Sequence, residues 1–144
     1  MRWGSVVLVL VVATMVMAAV RLTHRDAAFC RQVLRDLVSS RLSVGRSIDW
    51  EHLNALELNV GETYRQLPNA EERQRYQMAF VENFSKAFRD AQGDVDAFGR
   101  WRILEREGNT TRVAADYLTA NRTLVLTIAD IGWGRQRIEA LQWQ

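Results

Sequence analysis

Residues 98–143 read FGRWRILEREGNTTRVAADYLTANRTLVLTIADIGWGRQRIEALQW, and this stretch decides the fold class. From Phe98 the apolar period is two: Trp101 and Ile103 alternate with Arg100 and Arg102, the pattern of a half-buried strand over residues 98–105. Gly108-Asn109 predicts a hairpin turn. A second strand follows over residues 111–118, with Val113, Ala115 and Tyr117 on one side. After a turn at Ala120-Asn121, residues 124–131 form a strongly apolar third strand. Gly132-Trp133-Gly134 marks a tight turn or bulge, and residues 135–143 alternate again. An antiparallel meander of four strands is the expected result.

Upstream of this stretch the period is helical. Phe29, Val33, Leu37 and Val38 predict a helix over residues 26–42, stopped near Ser43-Val44-Gly45. Asp49 reads as the cap of a second helix, with Ile48 and Leu53 placed to staple it and Trp50, Leu53, Leu56, Val60, Tyr64 and Leu67 along its apolar face. Pro68, the only proline, ends that helix. Asn69 with Glu72 is a capping-box pattern for a third helix, along which Tyr76, Phe80, Phe84 and Phe88 recur every four residues. Helices first and strands afterwards mean an α+β domain, with three helices packed on a curved four-stranded antiparallel sheet. Trp101, Ile103, Tyr117 and Phe84 are expected to share its core.

Ahead of this domain, residues 3–20 contain no charged side chain. Eighteen helical residues span about 27 Å, close to the hydrocarbon thickness of a bilayer. Residues 1–24 therefore read as a transmembrane signal anchor and residues 25–144 as the α+β domain. A cleavable secretory signal is the rival reading, with Val16-Met17-Ala18 as its cleavage site. The apolar run reaches right up to that site, which favours the anchor. No Gly or Pro separates Arg21 from Asp26, so the first helix of the domain can continue from the membrane segment. Orientation is contested within the sequence. Arg21, Arg25, Arg31 and Arg35 favour a cytoplasmic domain, whereas the Met-Arg start favours export. The expectation adopted is a single-pass protein of the cell membrane with an extracytoplasmic domain.

From Arg25 onward basic and acidic residues balance at 17 each, so the domain lacks the clustered positive charge of a nucleic-acid binder. Cys30 is the only cysteine, which excludes an intramolecular disulfide and a thiolate metal cluster. No motif for a cofactor, a metal or a catalytic nucleophile is present.

The order of elements resembles the cystatin-like cone of the nuclear transport factor 2-like superfamily, and residues 130–138, Asp-Ile-Gly-Trp-Gly-Arg-Gln-Arg-Ile, resemble the acid-Gly-x-Trp-x-Ile hairpin between the last strands of such domains. Here Gly134-Arg135-Gln136 lengthens the spacing between Trp133 and Ile138. The resemblance implies a curved sheet wrapped around N-terminal helices. Through the membrane-anchored, VirB8-like members of that superfamily, it also implies a scaffold that binds other membrane or envelope proteins, or copies of itself.

Three kinds of site follow. Phe80, Phe84, Phe88, Trp101, Tyr117 and Trp133 are candidates to line a pocket for a small apolar or lipid-like ligand, the same residues serving otherwise as plain core. Arg100, Arg102 and Arg106 on one strand face, with Arg112 across from them, are candidates to dock an acidic partner or lipid headgroups, or else form a solvated face. Asp116 and Asp130 are the carboxylates that an acid/base enzyme of the cone type would use, and each also reads as a surface or turn residue. His24 and His52 are expected at the surface. The leading expectation is a membrane-anchored interaction module, with ligand binding as the alternative and enzyme chemistry third.

Overall fold

In a computed structural model that describes residues 2–144, with side chains from Val6 onward, helix α1 (Arg2–Val38) runs without a break. Its 37 residues extend about 55 Å at 1.5 Å each. Val6–Val38 is the one helix among the described residues long and apolar enough to cross a membrane. Large apolar side chains from Val6 to Leu22 are exposed, whereas Cys30, Val33, Leu34 and Leu37 are buried on one helical stripe. One helix is thus both the apolar N-terminal segment and part of the domain core.

After a 3-10 helix at Leu42–Ser47, which includes the region expected only to stop the first helix, come β1 (Asn54–Ala55), β2 (Leu58–Asn59), α2 (Val60–Gln66), α3 (Ala70–Asp90), a 3-10 turn at Val95–Ala97, β3 (Phe98–Glu107), β4 (Thr110–Tyr117), β5 (Arg122–Asp130) and β6 (Gln136–Trp143). The four long strands pair as the sequence predicts, antiparallel and in chain order. Two corrections are needed. The sheet has six strands in the order β2-β1-β6-β5-β4-β3, and it is mixed because β1 runs parallel to β6.

The second correction concerns residues 49–67, predicted as one helix. Only Val60–Gln66 is α-helical, and its cap is Asn59, whose side chain accepts from the Glu62 amide. Asp49 instead donates its backbone amide to the Ile138 carbonyl at 2.8 Å, and Leu56 donates to that of Leu141 at 2.9 Å. The outer edge of β6 would otherwise present unpaired carbonyls against the core, so this segment is drawn into the sheet against its helical spacing. Leu56 and Glu57, both at positive φ, make the tight return between β1 and β2. The third helix stands as predicted, with the Glu72 amide donating to Asn69 Oδ1 at 2.9 Å.

Helix α3 makes its close approach to α1, where the buried Ser85 hydroxyl donates to the Val38 carbonyl at 2.6 Å. Val113, Leu126, Ile128, Ile138 and Leu141 face the helices from the sheet. A register shift opposite Thr127 and Ile128 loops out one residue of β6, so that Ile138 and Leu141 both reach the core despite their odd spacing.

At the start of the domain, Asp26 is fully enclosed. Its Oδ1 accepts from Gln136 Nε2 at 2.7 Å and from Arg25 Nε at 3.3 Å. Arg106 Nη1 lies 2.8 Å from Oδ2 in an ionic contact that is not aligned as a hydrogen bond. These groups join α1 to the end of β3 and the start of β6. Farther along, Arg35 of α1 meets Asp96 just ahead of β3, at 3.1 Å. The helix therefore runs along the sheet from its β3–β4 and β5–β6 turns toward its β4–β5 turn, and its apolar half projects beyond the first end.

Removing Arg106 leaves an enclosed carboxylate with only Arg25 and Gln136. Arg106→Ala is expected to cost about 2–3 kcal/mol, less than a wholly isolated buried charge because Arg25 remains. Asp26→Asn should cost less, since it keeps a polar partner for Gln136 and leaves Arg106 in reach of water. Urea unfolding of the full chain in detergent, followed by near-ultraviolet circular dichroism, compares the two; a cheaper Arg106→Ala would contradict this account.

Candidate functional site

Because α3 leans on α1 rather than on the sheet, a cleft of about 840 Å³ opens between α3 and the strands β1, β6 and β5. Phe80, Phe84 and Phe88 form its helical wall, as their spacing predicts. Tyr117 of β4, Phe98 of β3 and Trp143 of β6 form the opposite wall, with ring centroids 4.8 Å apart for Phe98–Tyr117 and 6.0 Å for Phe98–Trp143. Leu56 and Leu58 of the β1–β2 return stand exposed at the rim.

Gly93 makes room for this arrangement. A Cβ there would lie 2.6 Å from the Phe88 ring, so any larger residue would push that ring out of the wall. Behind the wall, Trp50 meets Phe80 edge to face and donates its indole N–H to the Gly45 carbonyl. Phe80 is thereby held from behind.

Among the described residues, Arg122 is the one charged side chain in the lining. Its guanidinium stacks over the Trp143 ring, 4.5 Å from the centroid. Among the described residues no Asp, Glu or His lines the cleft. The site can take an apolar body against aromatic carbon and one anionic group at Arg122.

Of the sequence candidates, Phe80, Phe84, Phe88 and Tyr117 come together here and two do not. Trp101 is half-buried on β3 outside the lining, with Arg31 over its ring, and Trp133 is 97% exposed on the β5–β6 turn. Phe98 and Trp143 join the lining in addition to the sequence candidates. Trp143 is two residues from the core residue Leu141 on the same strand face, and that period was the available signal.

The arginine set is divided by irregularities in β3. Arg100 adopts positive φ at the first register shift, and a second shift follows Ile103. Arg100 and Arg102 reach Asp116 at 3.9 and 2.9 Å, Arg112 reaches Glu105 at 3.5 Å, and Arg106 turns to Asp26. All four are paired with acids, not arrayed on one free face.

Asp116 lies outside the cleft. Hydrogen bonds from Arg102 and then Thr123 hold its carboxyl below the usual carboxylate range, the charges of Arg102 and Arg100 adding to them. Asp130 Oδ1 accepts from the Gly132 amide at 2.8 Å, the turn role its position suggested. His52 is exposed beside Asp49 at 3.0 Å. Burial pushes the Cys30 thiol up, and the Asp26 charge adds to this, so the thiol stays protonated and unreactive.

Fold and cleft together define an α+β domain carried on a long apolar helix, with an aromatic cleft away from that helix's free end. No family model, curated protein or solved structure matches the chain.

Phe84 is half-buried at the cleft wall, so Phe84→Ala is expected to cost about 1–2 kcal/mol in thermal or urea unfolding, below the 3–5 kcal/mol of an enclosed core Phe. The Asp116 shift has a defined sign. A folded pKa below the unfolded one stabilises the domain above the ordinary carboxylate range, and this contribution is lost as pH falls through the folded value. Arg102→Ala removes the largest cause. Carboxyl-carbon NMR should find Asp116 titrating nearer its ordinary value in that variant; an unchanged midpoint would refute the assignment.

Proposed function

We propose that the chain is a membrane-anchored binding protein whose cleft holds a small amphipathic molecule, with an apolar body and an anionic head. The carrying observation is the cleft itself: open, about 840 Å³, walled by rings from α3 and the sheet, and furnished with Arg122 as its single charge. Its volume falls in the ordinary range of small-molecule sites. Membrane attachment is supported by the length, apolarity and exposure of the first half of α1. The distant relation to the cystatin-like cone remains part of this proposal. It is supported by the chain-order meander and by a helix packed on its inner face.

The same cleft can receive an apolar side chain of another envelope protein, which is the scaffold reading. Arg122 favours the small amphipath, because one stacked guanidinium supplies a fixed charge-assisted anchor for a carboxylate or sulfonate. Pairing through the free edge of β3 is disfavoured, since two irregularities and the arginines interrupt its flat edge.

The test uses the full chain in nanodiscs and anilinonaphthalene sulfonate, an aromatic probe with one anionic group, with empty discs subtracted. Saturable binding is expected. Ala87→Trp, on the exposed helical side of the cleft, should abolish binding without lowering the melting temperature. Arg122→Ala should weaken it roughly tenfold, as loss of a charge-assisted contact does. Binding unaffected by Ala87→Trp would remove the small-molecule reading and leave the scaffold one.

On this reading the domain lies outside the cytoplasm, as the Met-Arg start favours. A cysteine at the exposed Leu118, with Cys30 changed to Ala, should react with a membrane-impermeant thiol reagent once any outer barrier is opened. Reaction only after lysis of the inner membrane would place the domain in the cytoplasm.

A further inference from the structure

We propose that the β5–β6 turn, residues 131–135, is a second membrane contact, with Trp133 seated in the headgroup layer of the bilayer that α1 crosses. This rests on the anchoring role of α1 proposed above. Gln136, the first residue of β6, is bonded to Asp26, so the start of that strand is level with Asp26. Asp26 follows Val20 by six residues, about 9 Å along the helix. Headgroups add roughly 5–8 Å to each side of the hydrocarbon. The base of the turn therefore lies at the outer edge of the headgroup layer, on the end of the sheet from which the apolar half of α1 projects.

The turn is built to reach farther. Gly132, Trp133 and Gly134 all adopt positive φ, and the Ile131 amide donates to the Arg135 carbonyl across its base. The strained Trp133 backbone is held by that bond and by the Asp130 cap on Gly132. Trp133 stands at the tip of this closed turn, beyond Gln136, and its side chain extends from there into the headgroups. Its ring is 97% exposed, next to the exposed Ile131 and Arg135. An indole with an apolar body and one N–H donor suits the membrane interface, and the arginine suits lipid phosphate. A water-facing turn gains nothing from a tryptophan displayed in this way.

The full chain carrying Trp3→Phe is placed in nanodiscs of phosphatidylcholine and phosphatidylglycerol whose acyl chains are brominated near the headgroup. Tryptophan emission is compared with that in unbrominated discs, with and without a further Trp133→Phe. Quenching that disappears with Trp133→Phe is the expected result. Absence of quenching in the Trp3→Phe chain, or equal quenching in both chains, overturns the proposal while leaving the anchor intact. A chain that fails to float with the discs removes the anchor reading, and this contact with it. Trp133→Phe should not alter the melting temperature, which separates loss of contact from loss of fold.

Discussion

Asp26 holds the two halves of the molecule in one frame. An enclosed carboxylate is costly unless several partners answer it, and here Gln136, Arg25 and Arg106 come from β6, α1 and β3. Arg25 is the neighbour of Asp26 on α1, but Gln136 and Arg106 lie far away in sequence, so the cost of burying Asp26 is met only when α1 has docked at one particular end of the sheet. Hydrophobic contact along Cys30, Val33, Leu34 and Leu37 supplies the larger part of the attraction, yet it is tolerant of sliding. The charge is not. Burial of Asp26 thus selects the register of helix on sheet that places the apolar half of α1 beyond the β3–β4 and β5–β6 turns.

The cleft is a consequence of that docking. With α1 laid along the sheet, the buried Ser85 and Val81 bring α3 against α1, leaving the strands nearest β1 without a helix over them. Rings fill only part of the gap. Phe88, Phe98, Tyr117 and Trp143 pack on each other, and Gly93 lets Phe88 lie flat. Tyr117 is held further by its hydroxyl, which accepts from the Asp94 amide at 3.0 Å. An apolar hollow with such fixed walls is preorganised, so an entering group need not order them.

What could be read from sequence follows the range of the forces involved. The strands of the meander and the cap at Asn69 rest on local alternation, turn residues and side-chain-to-amide bonds, and their positions are legible from neighbouring residues. Residues 49–59 depend on the unpaired edge of β6, a partner some 85 residues away by the pairing of Asn54 with Ala140, and helical spacing there was misleading. The same limit applies to the site. Phe80, Phe84 and Phe88 follow from helical period, but the division of the arginines depends on two shifts within β3, and Trp133 depends on a turn of three left-handed residues. The turn is signalled by its glycines and the first shift by Gly99 inside the strand pattern, whereas the second shift, after Ile103, has no signature in residue type.

On the proposed reading, rigidity decides where a ligand must come from. The helix passes from its apolar half into the core with no linker, so the domain cannot tumble freely above the bilayer. Arg122, Tyr117, Phe98 and Trp143 all sit at the β4–β5 end of the strands, a strand length of about 20–25 Å from the turns that face the membrane. A lipid still in the bilayer that α1 crosses cannot span that distance. The occupant must therefore arrive through water or from a partner standing above the domain, and the anionic head that Arg122 selects is what keeps such a molecule soluble on the way.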